Sequence, residues 1–102
     1  MTIKIGEYTF TGLYTTTEQL EDRSGVYAII CQKDGKNYLV DIGESAEVKT
    51  RVENHDRKDC WVKNCQGNLA VAVYYTTNWL QSQRIALEKA IRKQFQVPCG
   101  KE

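Results

Sequence analysis

The sequence predicts an α+β domain: a small, mainly antiparallel three-stranded sheet flanked by helices, with an N-terminal strand extension. Three observations predict it. Two runs rich in β-branched and aromatic residues, Val26 to Cys31 and Asn37 to Ile42, flank Lys33-Asp34-Gly35-Lys36. Asp-Gly favours the positive φ of a tight turn, so the runs make a hairpin. A third run, Asn68 to Thr76, alternates around Leu69, Val71, Val73 and Tyr75 and follows a glycine. Helical periodicity then fills two stretches, about Ala46 to Asn54 and Trp79 to Phe95.

Each remaining element has its own reason. Residues 3–14 alternate and break at Gly6, which suits one or two short strands. Thr15, Thr16 and Thr17 offer capping hydroxyls for a short helix over Glu18 to Asp22. Ser24-Gly25 is a break, so residues 1–24 read as an extension and 25–102 as the main domain. Ser45 is placed to cap the first long helix, and Glu44 and Glu47 set negative charge at its positive end. Residues 56–66 are polar around one large anchor, Trp61, and read as a short helix or ordered loop. Asn78 suits a cap for the last helix, and Pro98 closes regular structure.

Composition narrows the function classes. The 102 residues allow one domain. Apolar residues are 41% and charged residues 26%, ordinary for a soluble protein. No run approaches the roughly 20 apolar residues of a membrane helix. The N-terminal segment alternates and lacks the apolar block of a signal peptide, so a cytoplasmic protein with four reduced thiols (Cys31, Cys60, Cys65, Cys99) is expected. The net charge of +1 gives no compositional argument for nucleic acid.

The chemistry-bearing residues cluster from Gly25 to His55. At 100° per residue, Val48, Arg51, Val52 and His55 share one side of the first helix, so an apolar stripe carries a guanidinium and an imidazole one turn apart. Gly25-Val26-Tyr27, then Asp41-Ile42-Gly43, then Arg51 eight residues past Gly43 and His55 four further on, with Glu88 on the last helix, resembles the core of the GIY-YIG nuclease family. That family includes homing endonucleases and the nuclease half of excision-repair proteins. The resemblance covers about Gly25 to Cys99. It implies a DNA endonuclease that uses one divalent ion, Mg²⁺ or Mn²⁺. It implies Glu88 as metal ligand, Arg51 as the phosphate-binding fork, Tyr27 as base or water-orienting hydroxyl, and His55 as a further phosphate contact or proton partner. Lys49 lies on the same helix as a further substrate contact.

Phosphodiester hydrolysis suits those types. It needs an activated water, charge stabilisation in the transition state and help for the leaving oxygen. Two positions depart from the family pattern. Asp41 stands where a second tyrosine is usual, and Gly100 lies near the place of a usual asparagine. Asp41 is expected to join Glu88 at the metal. Tyr38 falls on the opposite strand face unless a bulge intervenes. A catalytically impaired module that binds nucleic acid or a protein is the rival reading. In the nuclease reading, specificity would come from residues 1–24, from a homodimer or from a partner protein.

Ordinary roles stand beside these. Tyr27 suits strand packing, Arg51 a pair with Glu47 or Glu44, and His55 a helix C-terminus. Glu88 has Arg84 and Arg92 one turn away on either side. His55, Cys60 and Cys65, with Asp56 and Cys99, also form a loose zinc-type set.

Overall fold

A computed structural model describes residues 1–100. Within them lie β1 (Thr2–Ile5), β2 (Tyr8–Tyr14), β3 (Gly25–Lys33), β4 (Lys36–Ser45), α1 (Val48–Glu53), α2 (Lys58–Lys63), β5 (Asn68–Tyr75) and α3 (Gln81–Gln94). The strands form one antiparallel sheet in the order β1-β2-β5-β3-β4. This corrects the expected three-stranded sheet. The N-terminal strands add to its edge as β1 and β2. Gly6, at φ +62°, turns β1 back onto β2. β2 then pairs with β5 through Thr11 and Val73, and the Thr11 hydroxyl donates to the Val73 carbonyl at 3.1 Å. Added there, β2 covers an edge that β5 would otherwise leave unpaired. The backbones come so close that a side chain at Gly12, itself at φ +138°, would meet the Val71 carbonyl. The last two residues of the expected 25–102 span lie outside the described residues.

Several element ends differ from expectation, each for a local reason. Residues 18–22 form turns, not a helix, and Thr17 bonds Glu53 instead of capping. Ser45 stays in β4 and accepts the Glu47 N–H at 2.9 Å, so α1 begins later. Asp22 supplies that helix's first turn from a distance, accepting from the Thr50 N–H and hydroxyl. Asn78 takes φ +67° in a turn, and α3 starts at Gln81 with the Gln83 side chain accepting the Leu80 N–H.

The strands have two unlike faces. Under α3, Val26, Ala28, Ile30 and Ile42 pack with Phe10, Leu87 and Ile91. Under α1 and α2, Tyr27, Ile29, Val40 and Val73 pack with Val48, Val52 and Trp61. The β3–β4 register pairs Ile29 with Asp41 and Ile30 with Leu39, so Val40 is the extra residue of a β-bulge. The bulge puts Tyr38, opposite Cys31, on the same side as Asp41.

The expected thiols are paired. Cys31 bonds Cys65, and Cys60 bonds Cys99, with Cα separations of 5.5 and 5.9 Å. The first bridge ties β3 to the segment after α2. The second ties α2 to the C-terminal tail. No helix among the described residues is long and apolar enough to cross a membrane.

Candidate functional site

Tyr27 on β3 faces Gly43 on β4, and any side chain at 43 would collide with its ring and hydroxyl. Gly43 is therefore the space the phenol occupies. His55, just after α1, reaches the Tyr27 hydroxyl at 2.6 Å. The Arg57 main-chain N–H donates to His55 Nδ1 at 3.0 Å. The neutral imidazole then carries its proton on Nε2 and donates it to Tyr27 Oη. The Trp61 ring packs on the imidazole, centroids 4.6 Å apart. Burial, then the Arg51 and Arg57 charges, pushes His55 down to about 4, so it is neutral at pH 7. Burial pushes Tyr27 up to about 12, with the same arginines opposing. Tyr27 is 1% exposed.

Arg51 lies one turn before His55 and is the half-open part of the cluster, its side chain 37% exposed. It pairs with Asp56 at 3.1 Å, not with Glu47 or Glu44. Lys49 sits near the Asp22 carboxylate instead, so the structure does not group it with Tyr27 and His55.

Asp41 is fully buried and saturated. One oxygen accepts from the Ile42 N–H, Arg57 Nη2 and Arg92 Nη2; the other accepts from Arg57 Nε and Trp61 Nε1 at 2.9 and 2.7 Å. Burial alone would raise this carboxyl. The Arg57 and Trp61 bonds outweigh it and hold Asp41 below the usual carboxylate range. Arg92 also donates to the Ile42 and Cys99 carbonyls and to Glu88. It thereby joins α3, β4 and the tail, and Gly100 lies against Arg92, Asp41 and Arg57.

Glu88 uses Oε2 for Arg92, at 3.0 Å, while Oε1 makes no hydrogen bond among the described residues. Burial lifts its pKa and nearby Glu44 adds to this, against the pull of Arg92. No group of three or more His, Cys, Asp or Glu gathers among the described residues. Mg²⁺ commonly keeps several waters and takes one or two carboxylates, so Glu88 fits as a single ligand. Asp41 does not: its lone pairs are taken by cations and by Trp61. The zinc-type set is not formed either, since both α2-side sulfurs are in disulfides and His55 Nδ1 holds Arg57.

The structure thus joins Tyr27 to His55 and, through Asp56, His55 to Arg51. It joins Asp41 to Glu88 through Arg92, and no hydrogen bond or ion pair links Glu88 to Tyr27, His55 or Arg51 among the described residues. Sequence reasoning missed Arg57, Trp61 and Arg92 as the partners of Asp41. The available signal was Asp41 itself: a carboxylate amid apolar strand residues requires buried donors. Comparisons with protein-family models, curated proteins and solved structures returned no match.

Proposed function

We propose that the chain is a GIY-YIG-type domain that hydrolyses DNA phosphodiester bonds, working through Tyr27, His55, Arg51 and Glu88. One observation carries this reading. The Tyr27 hydroxyl and His55 Nε2 stand 2.6 Å apart, and Asp56 links His55 to Arg51, so three of the residue types the resemblance implies adjoin one another. An unrelated domain with a coincidental tripeptide would have no reason to converge them.

Tyr27 keeps its proton at neutral pH. With Nδ1 occupied and Nε2–H donated, His55 fixes the phenol oxygen and leaves the phenol proton free to orient a water or a phosphate oxygen. Arg51 reaches solvent and offers a planar fork to the scissile phosphate. A divalent ion held at Glu88 supplies, when bound, charge stabilisation for the leaving oxygen. Plasmid incubated with Mg²⁺ or Mn²⁺ tests the proposal. Nicking is expected, with losses of about 100-fold or more for Glu88→Ala and Tyr27→Phe. A parent protein that cuts no form of DNA would sink it.

A second reading is favoured by the burial of Tyr27 and the saturation of Asp41. In it, the same domain binds DNA or a protein without cutting, alone or as a homodimer. DNA retained on the protein without strand breaks is its signature.

A further inference from the structure

We infer that the outer half of the β3–β4 hairpin, with the end of α2, binds single-stranded nucleic acid, one base stacking on Tyr38. The inference rests on the nucleic-acid reading above and names the form of the strand. Tyr38 is 50% exposed, although it belongs to a strand. It lines two grooves of about 760 and 440 Å³ that also share Asn64. Arg92 and Phe95 stand along the first groove; Lys33 and Lys63 stand along the second. The register sets Lys36 directly opposite Lys33 and Tyr38 opposite Cys31, so these side chains share one face of the hairpin. Asp34 is the one acid lining either groove among the described residues.

The floor is fixed. Cys31–Cys65 bonds the strand to the segment after α2, and Lys33 Nζ donates to Gln66 at 3.1 Å. An exposed aromatic on a rigid strand, with the Lys33 and Lys63 ammoniums beside it, is what an unpaired base and its flanking phosphate require; Arg92, along the other groove, is held by Asp41. The chain is nearly neutral overall, so this local basic run beside an aromatic is the more telling. A duplex keeps its bases stacked inside and offers Tyr38 nothing.

The test is fluorescence anisotropy with a labelled twelve-nucleotide oligo-dT, in chelator so that no strand is cut. Binding tighter than to a duplex of equal length is expected. Tyr38→Ala should weaken it about tenfold or more, and Tyr38→Phe should retain it. Lys33→Ala and Lys63→Ala should each flatten the log–log salt dependence by about 0.7. No binding to oligo-dT, duplex binding as tight as single-strand binding, or full affinity in Tyr38→Ala would each overturn the inference. Because the readout needs no cleavage, its failure leaves the nicking result standing, and a failure to nick leaves this binding standing.

Discussion

The two faces of the β3–β4–β5 sheet are made by the same strands and are chemically opposite. The α3 side is apolar through its centre, from Phe10 and Val26 to Ile42 and Ile91. The α1–α2 side interrupts its apolar packing with a buried tyrosine, histidine and aspartate. Every buried side-chain nitrogen or oxygen among the described residues has a partner. The difference teaches where selection for stability ends. An apolar replacement for a buried charged network is often neutral or stabilising. A polar network that complete, drawn from β4, α2 and α3 around Asp41, needs a reason other than stability. The face that carries it also carries Tyr27, Arg51 and His55, while Glu88 stands on α3.

The comparison breaks most visibly at its two buried centres. Asp41→Ala strands two guanidiniums and the Trp61 N–H, and should cost about 3–5 kcal/mol in urea unfolding. Ile91→Ala on the apolar side only leaves a cavity, and should cost about 2–4 kcal/mol. The two should also differ in kind. Ile91→Ala should leave the Tyr27–His55 pair and any nicking intact in the folded fraction, whereas Asp41→Ala should disturb both through Arg57. Magnesium titration followed on backbone amides sharpens the point. Asp41→Asn should leave the ion's affinity unchanged, and Glu88→Gln should abolish its binding. Loss of affinity in Asp41→Asn would restore Asp41 as a ligand.

The disulfides come next in size. Removing the Cys60–Cys99 bridge with Cys60→Ser and Cys99→Ser should cost about 2–4 kcal/mol, since it closes 39 residues. In a domain this small that lowers Tm by roughly 10 °C or more. The tail should loosen first, because Cys99 also accepts from Arg92 and donates to the Val40 carbonyl. Thiol titration of the native protein should find no free sulfhydryl. Four reactive thiols would instead support the cytoplasmic expectation.

The hairpin, β5 and the last helix were legible because each rests on local signals: Asp-Gly between apolar runs, strict alternation, a 3.6-residue period. The alternation of residues 3–14 was legible too, but not its partner. Pairing β2 with β5 is a contact across 62 residues between Thr11 and Val73, which no local pattern encodes. Ser45 and Asn78 looked like caps by residue type. They lost to a strand that runs on to Ser45 and to a turn that places Asn78 at positive φ. At the site, Tyr27, Arg51, His55 and Glu88 were singled out by the family resemblance, and of these the structure joins Tyr27, His55 and Arg51. The role of Asp41 could not be read, because its partners arrive from α2 and from α3, 16 and 51 residues away. The cysteines misled for a related reason: bridges spanning 34 and 39 residues depend on how α2 and the tail fold back.

Acid should weaken the α1–α2 side, while protonation of Glu88 on α3, its pKa raised by burial, acts in the opposite sense. His55 has its pKa lowered from 6.5 to about 4 by burial. Its folded form therefore resists protonation, and the unfolded chain binds the extra proton between those values. Its contribution to stability is complete above pH 6.5 and is lost as pH falls toward 4. Asp41, also lowered, loses its contribution at still lower pH as its carboxylate protonates. The urea midpoint should fall through that window, and His55→Gln should remove the part between pH 6.5 and 4. A midpoint flat from pH 7 to 4 would contradict a neutral, buried His55.

The smallest expected stability effect lies at the open end of the cluster. Asp56 is 74% exposed and holds Arg51 in an ion pair. Exposed pairs of this kind contribute little, because water and salt screen them, so Asp56→Asn should barely move the unfolding curve. Its effect on DNA should be larger than its effect on stability. Arg51 is the cluster's solvent-reaching guanidinium; Arg57 and Arg92 are committed to Asp41. In the parent, the Asp56 carboxylate holds Arg51 Nη2 and competes with a phosphate for it. In Asp56→Asn the phosphate meets a free fork and one fewer negative charge. Affinity for DNA should rise, and the salt dependence should steepen, because one more phosphate is neutralised. Arg51→Ala, combined with Asp56→Asn, should erase the gain. If Asp56→Asn binds DNA no better than the parent, Arg51 is not the phosphate contact, and its ion pair belongs to the packing of α1 alone.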